Sequence, residues 1–486
     1  MLSSLIAFAV YSVAVLGIGL WATRRPQHTS EEIHLGNREH GAWTSALSTS
    51  ASTESGFVLL GMVGMGYSEG VSAFWMIPAG ILGYALNWWL LAPRLRRRSV
   101  ATGAVTIPEF ISLSTGGTAV SKAASAAAAL FAVIFLLAYV SAQFSAAGKA
   151  LSSQFPLSYT TGVILAVALI VFYAVLGGFR AVSWTDNLQA CMMVFALVIL
   201  PAIILVRLGG FDAVISSLAA KDSALVSFTN GSATVKGSLF VIVPWLMIGV
   251  GYPGQPHGLS RLMATKDERA LKRAPVIAMI WLVIVYAGAV TLGLAARAGY
   301  ENLSTIASDP ETALPVLAVE LLPGILAGVT LAAIIAAISS TADSQLIAAS
   351  STVIRDVRSA LRLPRPVNEL LATRIVIALL AALSTYFAVR QTHVVFKFVL
   401  YAFFGLGASL GPAVLYCSLA ERPRPLPALL GVLTGGITIF FVQRFTLHFL
   451  ISFTAAIVVM AAAHWVCGMY ASGDIKIEEG AVESGE

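Results

Sequence analysis

The sequence has few charged residues and almost no cysteine. Charged side chains make up 11% of the 486 residues, and the three cysteines lie far apart in apolar surroundings, at Cys191, Cys417 and Cys467. Soluble domains carry about 25% charged residues. Because the cysteines form no CxxC pair, they predict neither a disulfide framework nor a metal site, and we expect them to pack as small apolar groups. These absences argue against a soluble enzyme and a disulfide scaffold.

Recognisable catalytic and metal-binding signatures are also scarce. Neither a phosphate-binding P-loop nor an HExxH segment occurs. His28, His34 and His40 share one loop, which we expect to be solvated and free of metal. The scattered histidines and aspartates offer no paired nucleophile and base. The sequence therefore predicts neither an enzyme nor an organic cofactor.

Apolar residues are abundant, at 58% of the chain with a mean hydropathy of +0.85. Runs of about 20 apolar residues recur, and each could span a hydrocarbon core of about 30 Å. They predict an all-α polytopic membrane protein of about thirteen transmembrane helices. We place the helices near 2–23, 43–66, 71–92, 122–150, 158–176, 184–207, 237–257, 274–297, 324–353, 370–389, 393–418, 425–444 and 446–470. Residues 1–470 should form a single transmembrane domain, followed by a cytoplasmic tail at 471–486.

The positions of the basic residues predict the orientation. Most of the 30 lysines and arginines fall in alternate connections, as Arg94, Arg96 and Arg98 do after the third span. Basic residues concentrate on the cytoplasmic side of membrane proteins. We therefore expect the N-terminus outside and the C-terminus inside. The net charge of +6 reflects this topology and does not indicate nucleic-acid binding.

Two predicted spans contain breakers or hydroxyls at membrane depth. They are residues 44–56 in the second span and residues 249–257 in the seventh. Paired interrupted spans in the two halves of a chain point to a transporter site. Five spans run over 43–207 and five over 237–418, and an odd-numbered repeat must invert relative to its copy. The alternative is proline kinks and small-residue packing, which are common in membrane helices.

The ninth span places oxygen atoms in one line. Ala337, Ser340, Thr341 and Ser344 follow the spacing i, i+3, i+4, i+7 and share one helical face. The hydroxyls of the serines and the threonine, with the Ala337 carbonyl, would offer the hard oxygen ligands that sodium takes in transporters. The alternative is that these hydroxyls bond to their own helix or to neighbouring helices.

Three carboxylates lie at membrane depth. An ionisable residue inside a bilayer marks a functional site by default. Asp343 lies in the ninth span, and Glu54 lies in the broken second span. Asp186 lies near the inner end of the sixth span, where it could instead pair with Arg180.

At these motifs the chain resembles the sodium:solute symporter family, and within it the sodium/proline symporters. The resemblance runs over residues 1–470 and rests on LGNR (35–38), ASTESG (51–56), TIPEF (106–110), GGFRAVSWTD (177–186), GYPGQPH (251–257), STADSQ (340–345) and the glycines of 405–411 with Pro412. It implies a LeuT-type fold of two inverted five-helix repeats with an extra N-terminal helix. It also implies a bacterial inner membrane.

The resemblance implies one sodium site and permits a second. In the family, one sodium lies between the broken second helix and the ninth. At the matching positions of this sequence, the resemblance implies that its ligands are the carbonyls of Ala51, Glu54 and Ala337 and the hydroxyls of Ser340 and Thr341. Some members hold a second sodium at residues matching Asp186, Ser340, Asp343 and Ser344, although those members often have serine at position 343. Arg38 matches an arginine of the inner gate.

The solute pocket implied by the resemblance matches less completely. Ser55, Gly56, Tyr139, Tyr252 and Pro256 agree with positions that line the proline pocket. Thr53 stands where the proline carriers have an aspartate important for sodium coupling. Ile248 stands where they have a tryptophan, so the pocket should be wider.

We therefore expect sodium-coupled uptake of a small solute, proline or another small carboxylate, by alternating access. Its partners would be the solute, sodium and the lipid bilayer. Proton coupling is the nearest alternative, because Glu54, Asp186 and Asp343 could titrate. A solute sensor built on the same fold is the other alternative.

Overall fold

The protein is built from helices of very different lengths. The structure is a computed structural model that describes residues 2–24, 27–364, 366–390, 395–441 and 445–483, without the side chains of 395–397, 445–448 and 469–483. Within those ranges the chain forms helices and turns and no β-strand, and its one isolated bridge joins His40 to Thr265.

In the described residues of the N-terminal half the chain forms ten α-helices. They are α1 (Leu2–Ala22), α2 (Ser30–Leu35), α3 (Ala42–Thr53), α4 (Val63–Glu69), α5 (Met76–Ala85), α6 (Ala92–Thr102), α7 (Ile107–Ser114), α8 (Ala119–Gln154), α9 (Tyr159–Leu208) and α10 (Phe211–Lys221). Wider π-type turns at Phe57–Met62 and Leu86–Leu91 and tighter 3₁₀ turns at Gly36–Arg38, Gly70–Trp75 and Ser223–Val226 join some of them.

The described part of the C-terminal half adds eleven more. They are α11 (Val235–Val250), α12 (Pro256–Met263), α13 (Glu268–Gly299), α14 (Ser304–Ser308), α15 (Ala313–Leu321), α16 (Gly324–Thr352), α17 (Arg358–Ala360), α18 (Glu369–Arg390), α19 (Val395–Leu419), α20 (Pro425–Thr438) and α21 (Phe445–Glu483). The 3₁₀ turns Tyr252–Gly254 and Pro310–Thr312 and the π-type turn Val353–Val357 complete the path.

Side-chain caps set where the long helices begin. Thr118, Ser158 and Asp267 precede α8, α9 and α13, and each side chain accepts a hydrogen bond from a backbone N–H of the first turn. Such caps satisfy amide groups that have no partner within the helix. A helix as long as α9 would extend about 75 Å if it were straight. It turns instead at Gly178, where a φ of 59° suits glycine.

Ten helical stretches in the described residues are long and apolar enough to cross a membrane. Two of them, Phe57–Thr102 and Tyr159–Leu208, each contain parts of two predicted spans. The apolar helix Pro425–Thr438 is shorter and matches the twelfth span. The all-α polytopic prediction is therefore confirmed, and the chain is a multi-pass membrane protein. The predicted tail at 471–486 is helical as far as Glu483, and 484–486 lie outside the described residues.

The two predicted interruptions are present. Helix α3 ends at Thr53, and Glu54 follows with φ −95° and ψ 83° before the chain turns helical again. Helix α11 ends at Val250, and Gln255, with φ −92° and ψ 98°, separates the 3₁₀ turn from α12. Non-helical backbone at membrane depth is tolerated only where protein or a wet cavity surrounds it. Both segments are buried.

Helix α16 lies at the centre of the bundle. It packs against α1, α3, α8, α9 and α18. Its sequence is rich in glycine, alanine, serine and threonine, which let neighbouring helices approach closely. The face predicted to carry oxygen atoms therefore lies inside the protein, against the end of α3.

Candidate ion and solute sites

The first predicted sodium site assembles where α3 ends beside α16. The Ser340 hydroxyl donates to the carbonyl oxygens of Ala51 at 2.8 Å and Ala337 at 3.0 Å. The Thr341 hydroxyl donates to the same Ala51 carbonyl at 3.3 Å. All four residues are fully buried. Because the last carbonyls of a helix lack partners within it, they are available to hydroxyls or to a cation.

Glu54, the fifth predicted ligand, is the residue that caps α3. Its backbone N–H donates to the Ser50 carbonyl at 2.8 Å, and helical geometry stops there. The structure therefore brings Ala51, Ala337, Ser340 and Thr341 together at the break, with Glu54 at its edge. The hydroxyl and carbonyl oxygens of these four residues are neutral, which suits a monovalent cation.

The second predicted set also lies together, but it contains an arginine that the sequence did not suggest. The guanidinium of Arg261 lies 3.6 Å from Asp186 Oδ2 and donates to the Ser344 hydroxyl. Asp186 Oδ2 also accepts from Ser48 at 2.6 Å. Its other oxygen, Oδ1, is buried without a partner. Asp343 accepts from Tyr173 at 2.6 Å and from Ser344 at 3.1 Å.

The alternative partner for Asp186 was wrong. Arg180 forms an ion pair with Glu39 at 2.7 Å, at the surface, and Asp186 pairs with Arg261 instead. Arg261 is fully buried on α12, with its guanidinium carbon 4.9 Å from the centre of the Phe179 ring. The sequence places Arg261 among the basic residues of an inner connection. Nothing in its neighbouring residues indicates that its side chain is buried.

The predicted solute residues surround the break in α3. The Gly56 N–H donates to the Gln143 side-chain oxygen at 3.2 Å, and a Cβ at position 56 would lie 2.6 Å from Ile338. Any larger residue at position 56 would therefore require Ile338 to shift. The Tyr139 ring packs edge-on against His257 at 6.0 Å. The amide nitrogen of Gln143 and Nδ1 of His257 are buried without a partner.

The remaining predicted solute residues differ in what their side chains do. The Thr53 hydroxyl bonds back to the Thr49 carbonyl at 2.8 Å. Ser55 caps the next turn by accepting the N–H of Phe57 at 3.0 Å. Pro256 opens α12, where its missing N–H costs nothing. The Thr53 hydroxyl thus has a hydrogen-bond acceptor within its own helix.

Glu54 has an environment that the sequence did not reveal. Its side chain accepts from the hydroxyls of Tyr252 at 2.8 Å and Tyr286 at 2.6 Å. The two hydroxyl oxygens lie 2.9 Å apart. Tyr252 belongs to the predicted set, whereas Tyr286 lies in the ordinary apolar helix α13 and carries no sequence signal. We name these three residues the Glu54 cluster.

Arg38, the predicted gate, ties the inner ends of several elements together. It is buried and donates to Ser99 Oγ at 2.7 Å and to the carbonyls of Met263 and Ala104, each at 2.9 Å. It also pairs with Glu31. Burial lowers the pKa of Arg38 from its ordinary value, and Glu31 opposes that effect. The residue therefore holds the connection before α3 against α6 and α12.

The predicted solvation of the three histidines was partly wrong. His28 is exposed, but His34 and His40 are buried. His34 contacts Glu369 at 2.9 Å and Ser351 at 2.7 Å. Burial, with nearby Arg261 and Arg180, lowers the pKa of His40 to about 3, so its ring is neutral. The polar loop folds under the bundle, which local composition could not indicate.

Comparison with known proteins identifies the family. The family model of the sodium:solute symporter family matches residues 33–435. The chain belongs to this family. It is 33% identical to a sodium/proline symporter of Salmonella typhimurium, over 90% of this chain and 86% of that protein. It is 31% identical to an osmoregulated proline transporter of Bacillus subtilis, over 90% and 87% of the two chains.

Solved structures support the fold of this family member. A sodium-coupled sialic acid symporter in a substrate-bound outward-open state superimposes with a TM-score of 0.79 at 18% identity, over 94% of this chain and 96% of that chain. A nucleobase-cation-symport-1 transporter gives a TM-score of 0.55 at 14% identity, over 90% and 95%. These likenesses concern the fold alone. They confirm the predicted LeuT-type architecture.

Proposed function

We propose that the chain is a symporter that uses sodium to import a small solute by alternating access. The observation that carries the proposal is the meeting of Ala51, Ala337, Ser340 and Thr341 at the end of α3. Their neutral oxygens offer the ligands that sodium takes beside interrupted helices. The names of the relatives, which are sodium/proline symporters and proline transporters, support the same function.

Sodium coupling supplies the driving force. A potential of about 100 mV contributes about 2.3 kcal/mol for each sodium that moves inward, in addition to its concentration gradient. In this scheme sodium binds from outside between α3 and α16 and stabilises the interrupted segment. The solute then binds beside it, at Ser55, Gly56 and Tyr139, before the bundle opens inward.

Proline is the first solute to test, although two pocket positions differ from the proline carriers. Thr53 bonds to its own helix at 2.8 Å and carries no charge. Ile248, which is buried, leaves more room than a tryptophan would. Other small carboxylates or amino acids are therefore the next solutes to test.

A sodium at the second predicted site would share its ligands with an arginine. A sodium bound by Asp186, Ser340, Asp343 and Ser344 would lie beside Arg261, which already pairs with Asp186. We retain this second site because Asp186 Oδ1 is buried without a hydrogen-bond partner and is therefore available to sodium. We expect it to contribute less to sodium affinity than the first site.

The proposal includes the orientation and the internal symmetry. The N-terminus lies outside and the C-terminal tail, 471–486, lies in the cytoplasm of a bacterial cell, with the chain in the inner membrane. Residues 43–207 and 237–418 are the two inverted repeats of the transport domain, 1–470.

The test is uptake of radiolabelled L-proline into proteoliposomes that contain the purified full chain. Uptake is measured at fixed pH with an inward sodium gradient, with potassium in place of sodium, and with an inward proton gradient without sodium. We expect accumulation above the external concentration only with the sodium gradient.

Two outcomes would change the proposal. Accumulation driven by the proton gradient without sodium would contradict sodium coupling and favour the proton-coupled alternative, with Glu54 and Asp343 as proton carriers. If neither gradient drives accumulation, proline is rejected as the solute. Other solutes would then be screened by the sodium-dependent rise that they cause in the unfolding temperature.

A further inference from the structure

The carboxylate of Glu54 is buried at the break in α3 with only neutral partners. Its exposed fraction is 1%. Its hydrogen-bond partners are phenol hydroxyls, of Tyr252 and Tyr286, with Tyr84 as a third. None of these tyrosines belongs to the first sodium set, so the side chain is engaged apart from the oxygens that would hold sodium.

Glu54 has no protein counter-ion in the part of the chain that the structure describes. The buried cations there are used elsewhere, since Arg261 pairs with Asp186 and Arg38 pairs with Glu31. The half-buried Lys149 bonds to Asp309 and Glu311 at 2.9 and 3.0 Å. Within the described residues, the side chains that interact with Glu54 are the phenols of Tyr84, Tyr252 and Tyr286, and none of these is basic. A buried charge is costly unless it is paired. The site therefore favours a ligand that brings a positive charge.

The hydrogen bonds of the Glu54 cluster are also incomplete. The three side chains make three oxygen–oxygen contacts, of 2.8, 2.6 and 2.9 Å. With Glu54 ionised, only two hydroxyl hydrogens serve these three contacts. A carboxylate can accept about four hydrogen bonds. The three phenol hydroxyls of Tyr84, Tyr252 and Tyr286 leave about one of these positions for an N–H donor.

Aromatic rings surround the same point. Tyr84 and Phe403 pack edge-on against the Tyr252 ring, with centroids 5.7 and 5.4 Å away. Aromatic faces attract cationic nitrogen. The nearby amide nitrogen of Gln143, which is buried and unpartnered, can donate to an oxygen at the other end of a small solute. Cation-binding and oxygen-binding groups thus flank Gly56.

We propose that Glu54, with the hydroxyls of Tyr252 and Tyr286, binds a protonated nitrogen of the transported solute. The solute is then a small amino acid or amine that is held by its ammonium group, and its carboxylate is not essential for binding. This inference rests on the proposed solute site at the α3 break. It makes Glu54 a residue that determines specificity.

The test uses two matched series of ligands. L-proline, L-prolinamide and tetrahydro-2-furoate share one ring, and L-alanine, L-alaninamide and L-lactate share one short chain. In each series the amide keeps the charged nitrogen without the carboxylate, and the third member keeps the carboxylate without the nitrogen. The unfolding temperature of the purified chain is measured against ligand concentration in sodium chloride and in potassium chloride, because a ligand that binds the folded state raises that temperature.

We expect the amide to bind within about threefold of its parent amino acid, and the nitrogen-free member at least about tenfold more weakly, as loss of a charged hydrogen bond predicts. In Glu54→Gln, affinity for the nitrogen-bearing ligands should fall about tenfold to a hundredfold. Tyr286→Phe keeps the carboxylate and should show a smaller loss. Glu320→Gln, which removes an exposed carboxylate of α15, is the matched control and should show none.

Three results would overturn the inference. One is a nitrogen-free member that binds as tightly as its parent. Another is undiminished binding of the nitrogen-bearing ligands by Glu54→Gln. The third is a protein that sodium stabilises but that no nitrogen-bearing member of either series stabilises further. If sodium itself fails to stabilise the wild-type chain, the proposed function fails, which is a separate result.

Discussion

The two candidate ion sites share Ser340 but differ in charge. The first combines the carbonyls of Ala51 and Ala337 with the hydroxyls of Ser340 and Thr341. The second combines two carboxylates, Asp186 and Asp343, with the guanidinium of Arg261. Both use residues of α16 and both are buried. A shared helix face therefore does not make two sites equivalent, because distant residues decide which of them already holds a cation.

The difference has a physical cause. The Ala51 carbonyl at the end of α3 lacks a partner within its helix and the hydroxyls beside it are neutral, so a monovalent cation can bind there without displacing another charge. Removing a carboxylate from a buried ion pair instead leaves the opposite charge uncompensated. The first site should therefore govern sodium affinity, and the second should govern stability.

The largest expected effect is a loss of protein stability when Asp186 is replaced. Asp186→Asn removes the carboxylate that pairs with the buried guanidinium of Arg261 and leaves only Asp343 to compensate its charge, which should cost up to about 3–5 kcal/mol of stability. The fall should appear as a lower unfolding temperature of the purified protein without ligand. Glu39→Gln weakens the surface pair with Arg180 and should cost at most about 1 kcal/mol. Equal effects in the two variants would mean that the Asp186–Arg261 pair does not stabilise the bundle.

A smaller effect is expected at Ser344. Its hydroxyl contacts Arg261 and lies within donating distance of the Ser340 carbonyl, at 2.5 Å, and of Asp343, at 3.1 Å. It bonds to none of the oxygens proposed to hold sodium in the first site. In Ser344→Ala the sodium concentration for half-maximal stabilisation should change by about fivefold or less, since a net hydrogen-bond contribution of about 1 kcal/mol corresponds to about fivefold in affinity. A change of a hundredfold would instead show that sodium binds in the second set beside Arg261.

The sequence predicted what local patterns encode. Hydropathy and glycine or proline breaks predicted the helices and the two interruptions, because a span must be long and apolar and a break needs special residues. The i, i+3, i+4 spacing predicted the face of Ser340 and Thr341, because both residues lie on one helix.

The sequence could not predict pairings between distant elements. Arg261 meets Asp186, and Tyr286 meets Glu54, only because α12 and α13 pack beside α3 and α9. His34 and His40 looked solvated because their loop is polar. Their burial depends on how that loop packs under α16 and beside Phe179. Such contacts belong to the tertiary fold and have no local signal.

The most direct test of the first sodium site compares two adjacent serines of α16. Ser340 donates to Ala51 at 2.8 Å, whereas Ser339 is equally buried but donates to the Ile335 carbonyl at 2.6 Å, within its own helix. Sodium is titrated against the unfolding temperature of each alanine variant and of the wild type. We expect Ser340→Ala to raise the half-saturating sodium concentration about tenfold or more, and Ser339→Ala to leave it within about twofold. An unchanged sodium requirement in Ser340→Ala, or equal shifts in both variants, would contradict the account.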